Sequence, residues 1–151
     1  MGATDELLYL ETDSGCAVCG LRDSRTLTVH HLDQTKPKSE KYDNKILLCH
    51  NCHQCHHQGK GPTAKQLHDI KRRLIVKTLT RPGLNALKLA QRQRAVVAMP
   101  FLVNHLVELG YLKYKETMSS WASDEDQESN DIDAVYDLSS EGKQLLKKWR
   151  L

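Results

Sequence analysis

Residues 49–57 read CHNCHQCHH, three cysteines and four histidines in nine positions. Such a density of soft ligands points to metal. All five cysteines lie between Cys16 and Cys55, and four of them form two C-x-x-C pairs, Cys16/Cys19 and Cys49/Cys52. Each C-x-x-C turn presents two sulfurs to one point. Two such turns close a tetrahedral shell around zinc at ~2.3 Å and leave no open position, the mark of a structural site. An intermediate arrangement swaps Cys55 or a histidine into that shell. Zinc held this way contributes on the order of 10 kcal/mol to the folding of a small unit.

Six of the eight histidines fall in the same region. A short helix is expected from Asn51 to about Gln58, stopped by Gly59 and Gly61, and it puts His53 and His57 one turn apart on one face, where they can chelate one ion. His56 is a residue out of phase and His50 sits inside the knuckle, facing solvent. The segment TLTVHHL (26–32) reads as a strand, so the adjacent His30 and His31 point to opposite faces. One of the two can ligate a metal while its neighbour faces substrate. Phosphodiester hydrolysis needs an activated water, charge neutralisation on the phosphate and a stabilised leaving oxygen. A histidine near its natural pKa can take the proton, an effect worth ~10²–10⁴-fold. A metal with three protein ligands keeps positions open for phosphate oxygens and water.

The ordered set of VHHLD, Asn44 and C-x-x-C-H-x-x-x-H, led in by LETDSGCAVCG, resembles the HNH endonucleases, whose core is a ββα-metal finger. The resemblance spans roughly residues 5–61, and the all-histidine set is similar to the colicin-type branch. It implies that His30, His53 and His57 ligate the catalytic metal, that His31 is the general base, and that Asn44 holds the His31 ring in position. It also implies cleavage of DNA to 5′-phosphate and 3′-hydroxyl ends. The family commonly runs on Mg2+, whereas all-nitrogen ligation favours Zn2+, Ni2+ or Mn2+ by ligand softness.

These residues need elements to position them. TDELLYLET (4–12) reads as a short helix, KILL (45–48) as a second strand entering Cys49, and TAKQLHDIKRRLIVKTL (63–79) as a helix with an apolar stripe. Arg81-Pro82-Gly83 breaks that helix and marks a boundary. Beyond it, LNALKLAQRQRAVVA (84–98) reads as a helix, FLVNHLVELG as a helix opened by Pro100 and ended by Gly110, YLKYKET and AVYDLS as strands, and EGKQLLKKWRL as a last helix capped by Ser139 or Ser140. The phrases LVNHLVELGYLKY and VYDLSSEGKQLL resemble the recognition helix, wing and closing helix of winged-helix domains. The expected fold class is therefore α+β, a small zinc-stapled ββα-metal domain at 1–61, a basic helix and linker at 62–83, and a winged-helix-like domain at 84–151 with an acidic loop at 116–133.

The chain has 151 residues and a formal net charge of +3, so the charge pattern says more than its sum. From Lys60 to Arg94 there are ten Lys or Arg and one acid, and from Glu116 to Gly142 nine acids and no Lys or Arg. The basic stretch suits a phosphate backbone, with Arg72, Arg73, Arg92 and Arg94 as the candidate contacts. Lys36, Lys38, Lys41 and Lys45 either touch phosphates or are simply solvated. The acidic loop would be repelled by DNA, and Asn104 and His105 are the only polar base-contact candidates on the helix 100–109. The C-terminal domain is therefore expected to add DNA contacts, to form a homodimer, or to bind a partner protein. No apolar run suits a signal peptide or a bilayer span, and free thiols suit a reducing compartment, so a cytoplasmic protein is expected. The rival function is a non-catalytic zinc-dependent DNA-binding regulator or adaptor, in which the histidines are relics.

Overall fold

The computed structural model describes residues 3–118 and 133–151, which divide into two compact units, Met1–Thr78 and Leu79–Leu151. Most of the expected acidic loop, residues 119–132, lies outside the described residues. No helix among the described residues is long and apolar enough to cross a membrane.

In the first unit, helix α1 (Ala3–Glu11) is followed by the first cysteine turn, then by strand β1 (Leu27–His31). Strand β2 (Lys45–Cys49) pairs antiparallel with β1, setting His30 opposite Ile46 and His31 opposite Lys45. Helix α2 (His50–His57) starts directly from β2, because the Cys49 sulfur caps it by accepting from the Cys52 N–H. Helix α3 (Ala64–Leu79) then covers the core. Every residue of β2 is buried, with Ile46, Leu47 and Leu48 fully enclosed, so this strand is the centre of the unit.

Of the expected basic helix and linker at 62–83, the part up to Thr78 falls within this first unit. Its apolar stripe explains why. Leu67, Lys71 and Ile75 recur every four residues on one face, and all three are fully buried. The Lys71 ammonium ends 2.7 Å from the Glu11 carboxylate of α1 and lies 3.7 Å over the Tyr42 ring. The Tyr42 hydroxyl donates to the same carboxylate, and Lys77 donates to the Glu11 carbonyl at 3.1 Å. Burial pulls Lys71 down to about 8, while Glu11 and Asp43 work to hold it up.

This enclosed pair locks α1, the turn before β2 and α3 together. Removing one partner leaves the other charge buried and unpaired, which typically costs about 3–5 kcal/mol. Glu11→Ala is expected to lower stability by that amount in denaturant unfolding, and adding Lys71→Met is expected to recover most of it. A loss below about 1 kcal/mol would mean that the pair does not hold the helix.

The second unit contains α4 (Arg81–Gln93), β3 (Ala95–Ala98), α5 (Pro100–Glu108), β4 (Leu112–Met118), β5 (Asp133–Leu138) and α6 (Ser140–Trp149). Its three strands form an antiparallel sheet in the order β3-β5-β4. Leu87, Val103, Leu106, Tyr136, Leu146 and Trp149 make its core. Two local expectations are corrected here. The chain breaks at Thr80, whose φ of 63° leaves helical geometry and whose hydroxyl caps α4 by accepting from the Gly83 N–H; Pro82 sits in the first turn, where it is tolerated. The helix expected over 84–98 ends at Gln93. Arg94 turns left-handed at φ 70°, and Ala95–Ala98 become an edge strand paired with β5. The β-branched Val96 and Val97 suit that strand, and β5 supplies its hydrogen bonds.

Ser139 caps α6 by accepting from the Gly142 N–H at 2.9 Å, and it donates to the Gly110 carbonyl at 2.5 Å. A Cβ on Gly142 would lie 2.4 Å from the Tyr111 carbonyl oxygen, so only glycine fits this junction.

Candidate metal centres and the histidine cluster

Cys16 and Cys19 stand on the turn after α1. That turn hangs on the core strand through Ala17 N–H to Leu47 O at 2.9 Å, and Gly20, at φ 74°, bends it back. Cys49 ends β2 and Cys52 lies in the first turn of α2. All four sulfurs lie within 4.8 Å of one another. Zn–S bonds of ~2.3 Å in a tetrahedron require sulfurs about 3.8 Å apart; the Cys19 and Cys49 sulfurs are 3.7 Å apart. The four cysteines therefore fit a structural zinc site. Cys55 points instead at the Asn51 side chain, 3.7 Å away, and is not in the cluster.

The thiol acidities diverge within this set. Burial raises Cys16, but N–H groups of Cys19, Cys49 and Val18 outweigh it and hold the thiol down to about 7. Cys52 is pushed up by burial and by the neighbouring sulfurs. A dication offsets the like charges that four thiolates would otherwise bring together.

The second cluster is built across the β1–α2 corner. His30, buried on β1, meets His53 and His57 on α2, and a ring nitrogen from each lies within 4.8 Å of the others. His30 Nδ1 and His53 Nε2 are 3.1 Å apart. That is close to the ~3.3–3.4 Å that bonds of ~2.0–2.1 Å require in a tetrahedral shell. Burial, followed by the charges of His53, His56, His57 and His31, holds His30 down to about 4. Burial and His57 lower His53 as well. Both rings are therefore neutral near pH 7, the form that ligates a metal. His50, His53, Gln54, His57 and Gln58 line an open hollow of about 440 Å³ beside the cluster.

Two features here were not anticipated in the sequence. Thr28 Oγ1 lies 2.9 Å from His53 Nδ1 and 3.3 Å from the Leu48 carbonyl. The hydroxyl proton can go to that carbonyl, so Oγ1 accepts from Nδ1–H and the Nε2 lone pair of His53 faces His30. The only hint in the sequence was the two-residue spacing from Thr28 to His30, which places both on one face of β1. His56, expected to be out of phase with His53 and His57, donates Nδ1–H to the Pro62 carbonyl at 2.6 Å and so fastens the turn after α2.

His31 ends β1, half-buried, and its Nε2 lies 2.8 Å from Glu40 Oε1. Asn44 was expected to hold this ring, and it does not. Its amide oxygen accepts from Asp33 N–H at 2.8 Å, and its amide nitrogen donates to the carbonyls of Ser39, at 3.0 Å, and Asp33, at 3.3 Å. Asn44 is buried beneath the polar loop, where its amide can satisfy the loop's backbone groups. Lys45 is also buried, paired with Glu40 and Asp5, and so is no surface phosphate contact.

Arg72 and Arg73 are exposed on α3 in the first unit, and Arg92 and Arg94 are exposed at the end of α4 in the second. Asn104 is exposed on α5, whereas His105 Nε2 is bonded to the Leu79 carbonyl at 2.9 Å.

Residues 16–59 match the family model described as HNH endonuclease. The matched segment begins at the first cysteine of the zinc-type cluster and ends just past His57, so it contains both clusters. This part of the chain is thus similar to HNH endonuclease domains, a family that generally comprises nucleases. No curated protein and no solved structure matches the chain.

Proposed function

We propose that the protein is a metal-dependent DNA endonuclease. The observation that carries this reading is the convergence of His30, His53 and His57 beside His31, inside the segment that matches the HNH family. His30, His53 and His57 would hold a divalent ion, Mg2+, Mn2+, Ni2+ or Zn2+, and Cys16, Cys19, Cys49 and Cys52 would hold a structural zinc. Bound at the histidines, the ion would supply positive charge to the phosphate oxygens. His31 takes a proton from water, the water oxygen attacks phosphorus, and the P–O3′ bond breaks, the leaving 3′-oxygen taking a proton from solvent. The products are a 5′-phosphate and a 3′-hydroxyl.

Asn44 serves this step by shaping the loop that follows His31. The exposed Arg72, Arg73, Arg92 and Arg94 supply phosphate contacts, which position the substrate without reading its sequence. For the second unit, the run of helix, strand, helix, two strands and helix, with its middle strand β5, supports a winged-helix reading. That unit would add contacts to DNA, to a second copy or to a partner protein.

The test is cleavage of plasmid DNA by the full chain with each of Mg2+, Mn2+ and Ni2+, with and without EDTA. Metal-dependent nicking or linearisation is expected. DNA binding without cleavage under any of these metals would favour the regulator.

A second outcome follows from Thr28. Partners that orient a ligating histidine typically change metal affinity 10–100-fold. Thr28→Val is expected to weaken Ni2+ or Mn2+ binding by about that factor in calorimetry, and Thr28→Ser to restore it. Equal affinities in all three proteins would mean that the hydroxyl does not orient His53.

A further inference from the structure

The sheet of the second unit has two edges, and they are built differently. Strand β4 carries Lys113, Lys115 and Glu116, and an irregularity breaks its register with β5 between Tyr114 and Glu116. Charges and bulges of this kind keep a free edge from pairing with another chain. Strand β3 has neither. Its sequence is AVVA, its register with β5 runs unbroken from Ala95 to Ala98, and among the described residues no further strand lies beyond it. Alternate residues of β3 point their N–H and C=O groups to β5, and the others point them outward.

The side chains along this edge are apolar as well. Val97 is 53% exposed, Met99 40% and Phe101 74%. Met99 is still extended, at φ −66° and ψ 129°, so it shares a side of the backbone with Val97, and Phe101 follows in the first turn of α5. Exposed apolar side chains that are gathered rather than scattered mark a surface that meets a partner. Together these three leave roughly 300 Å² uncovered per copy, or about 600 Å² for two copies, the centre of an interface at the small end of the range.

Charge selects the partner. Two copies related by a two-fold axis would run their β3 strands antiparallel, so the start of one strand meets the end of the other. The register that uses the outward groups of two residues on each copy makes about four hydrogen bonds and centres on Val96 or Val97. Either choice sets Arg94 of the second copy opposite Ala98 or Pro100. Beside that position, one strand further in, β5 begins with Asp133. Two strand spacings are roughly 10 Å, a span that an arginine and an aspartate side chain cover together. The cross-strand neighbour of Asp137 on β4 is Lys113, whereas that of Asp133 is Met118, so an incoming cation suits Asp133.

We infer that β3 is a self-association edge: two copies join β3 to β3 in one continuous sheet, cover Val97, Met99 and Phe101, and exchange two Arg94–Asp133 ion pairs. In the dimer Arg94 turns from phosphate to Asp133, while Arg72, Arg73 and Arg92 keep the phosphate role. The inference stands without the nuclease reading. With it, a dimer carries two histidine clusters, the number needed to cut both strands of a duplex. The small apolar centre and the four-residue strand suit a micromolar rather than a nanomolar Kd.

Sedimentation velocity of the full chain, from low to high micromolar concentration, tests this. A monomer–dimer equilibrium is expected for the wild type. Val97→Lys, which puts a charge on the edge at an exposed position, is expected to be monomeric throughout, with an unchanged circular dichroism spectrum. Arg94→Asp and Asp133→Arg are each expected to raise the dimer Kd by at least roughly 10-fold, because each sets like charges together, and the double variant is expected to regain the wild-type value. A wild type that is monomeric at every concentration would overturn the inference; if it also lost DNA affinity on Val97→Glu, the face would belong to nucleic acid. A dimer indifferent to Val97→Lys would place self-association elsewhere and overturn it equally. Failure of the double variant to recover would overturn the Arg94–Asp133 register.

Discussion

His31→Ala is expected to abolish nearly all metal-dependent cleavage, lowering the rate by about 10²–10⁴-fold, the usual contribution of a positioned general base. The expectation follows from how β1 divides its last two residues. Neighbours on a strand face opposite ways. His30 turns to α2 and the other histidines, whereas His31 turns to Glu40 at the end of the strand. His31 is still near enough for its charge to bear on His30. Removing its ring should therefore spare metal binding, DNA binding and the zinc site. His30→Ala, His53→Ala or His57→Ala should instead lose metal affinity and cleavage together. Plasmid cleavage read beside metal-binding calorimetry separates the two classes. If His31→Ala cuts as fast as the wild type, His31 is not the base. If it loses the metal, it belongs with the ligands.

Breaking the four-cysteine cluster should have the largest effect on folding. Cys49 is the hinge of the first unit: it is almost fully buried, it ends the core strand β2, and its sulfur caps α2. The histidine cluster depends on that hinge, because two of its three members sit on α2. A structural zinc contributes on the order of 10 kcal/mol, as much as the whole ~5–15 kcal/mol stability of a typical domain. Cys49→Ala is therefore expected to unfold the first unit and to take the histidine site with it. The second unit carries no metal cluster among its described residues and has its own core around Leu87, Leu106 and Trp149, so its signals should persist. Amide dispersion in NMR spectra, read beside zinc content, checks this. Full dispersion in a zinc-free Cys49→Ala chain would mean that the cluster is not a staple.

What could be read in the sequence shares one property: it depends on residues close together along the chain. Two C-x-x-C pairs, two histidines one helical turn apart and a histidine pair on a strand each declare their geometry locally. The two strands and the helix α2 of the first unit, and the grouping of the four cysteines and of His30, His53 and His57, are accordingly where the spacing put them. The orienting groups were not legible, because they act across the fold. Asn44 seemed suited to the His31 ring, but being buried beneath the loop commits its amide to backbone groups that no spacing reveals.

Charge was the least legible feature. Lys45 was expected to touch phosphate or to be solvated, and Lys71 lies in the basic stretch expected to suit a phosphate backbone. Each is buried because a distant carboxylate waits for it, Asp5 for Lys45 and Glu11 for Lys71. Enclosing a charge is tolerable only when a partner is brought to it, and that partner is a property of the tertiary structure. The AVVA segment makes the same point for the backbone. Its neighbours argued for a helix, and it became a strand because β5, some forty residues further on, supplied the hydrogen bonds. By itself, then, the sequence determined which atoms can ligate metal, since ligand type and short-range spacing suffice for that. Only the tertiary structure decided which groups orient those atoms and which charges remain at the surface, because desolvation and pairing are settled by residues far apart in the chain.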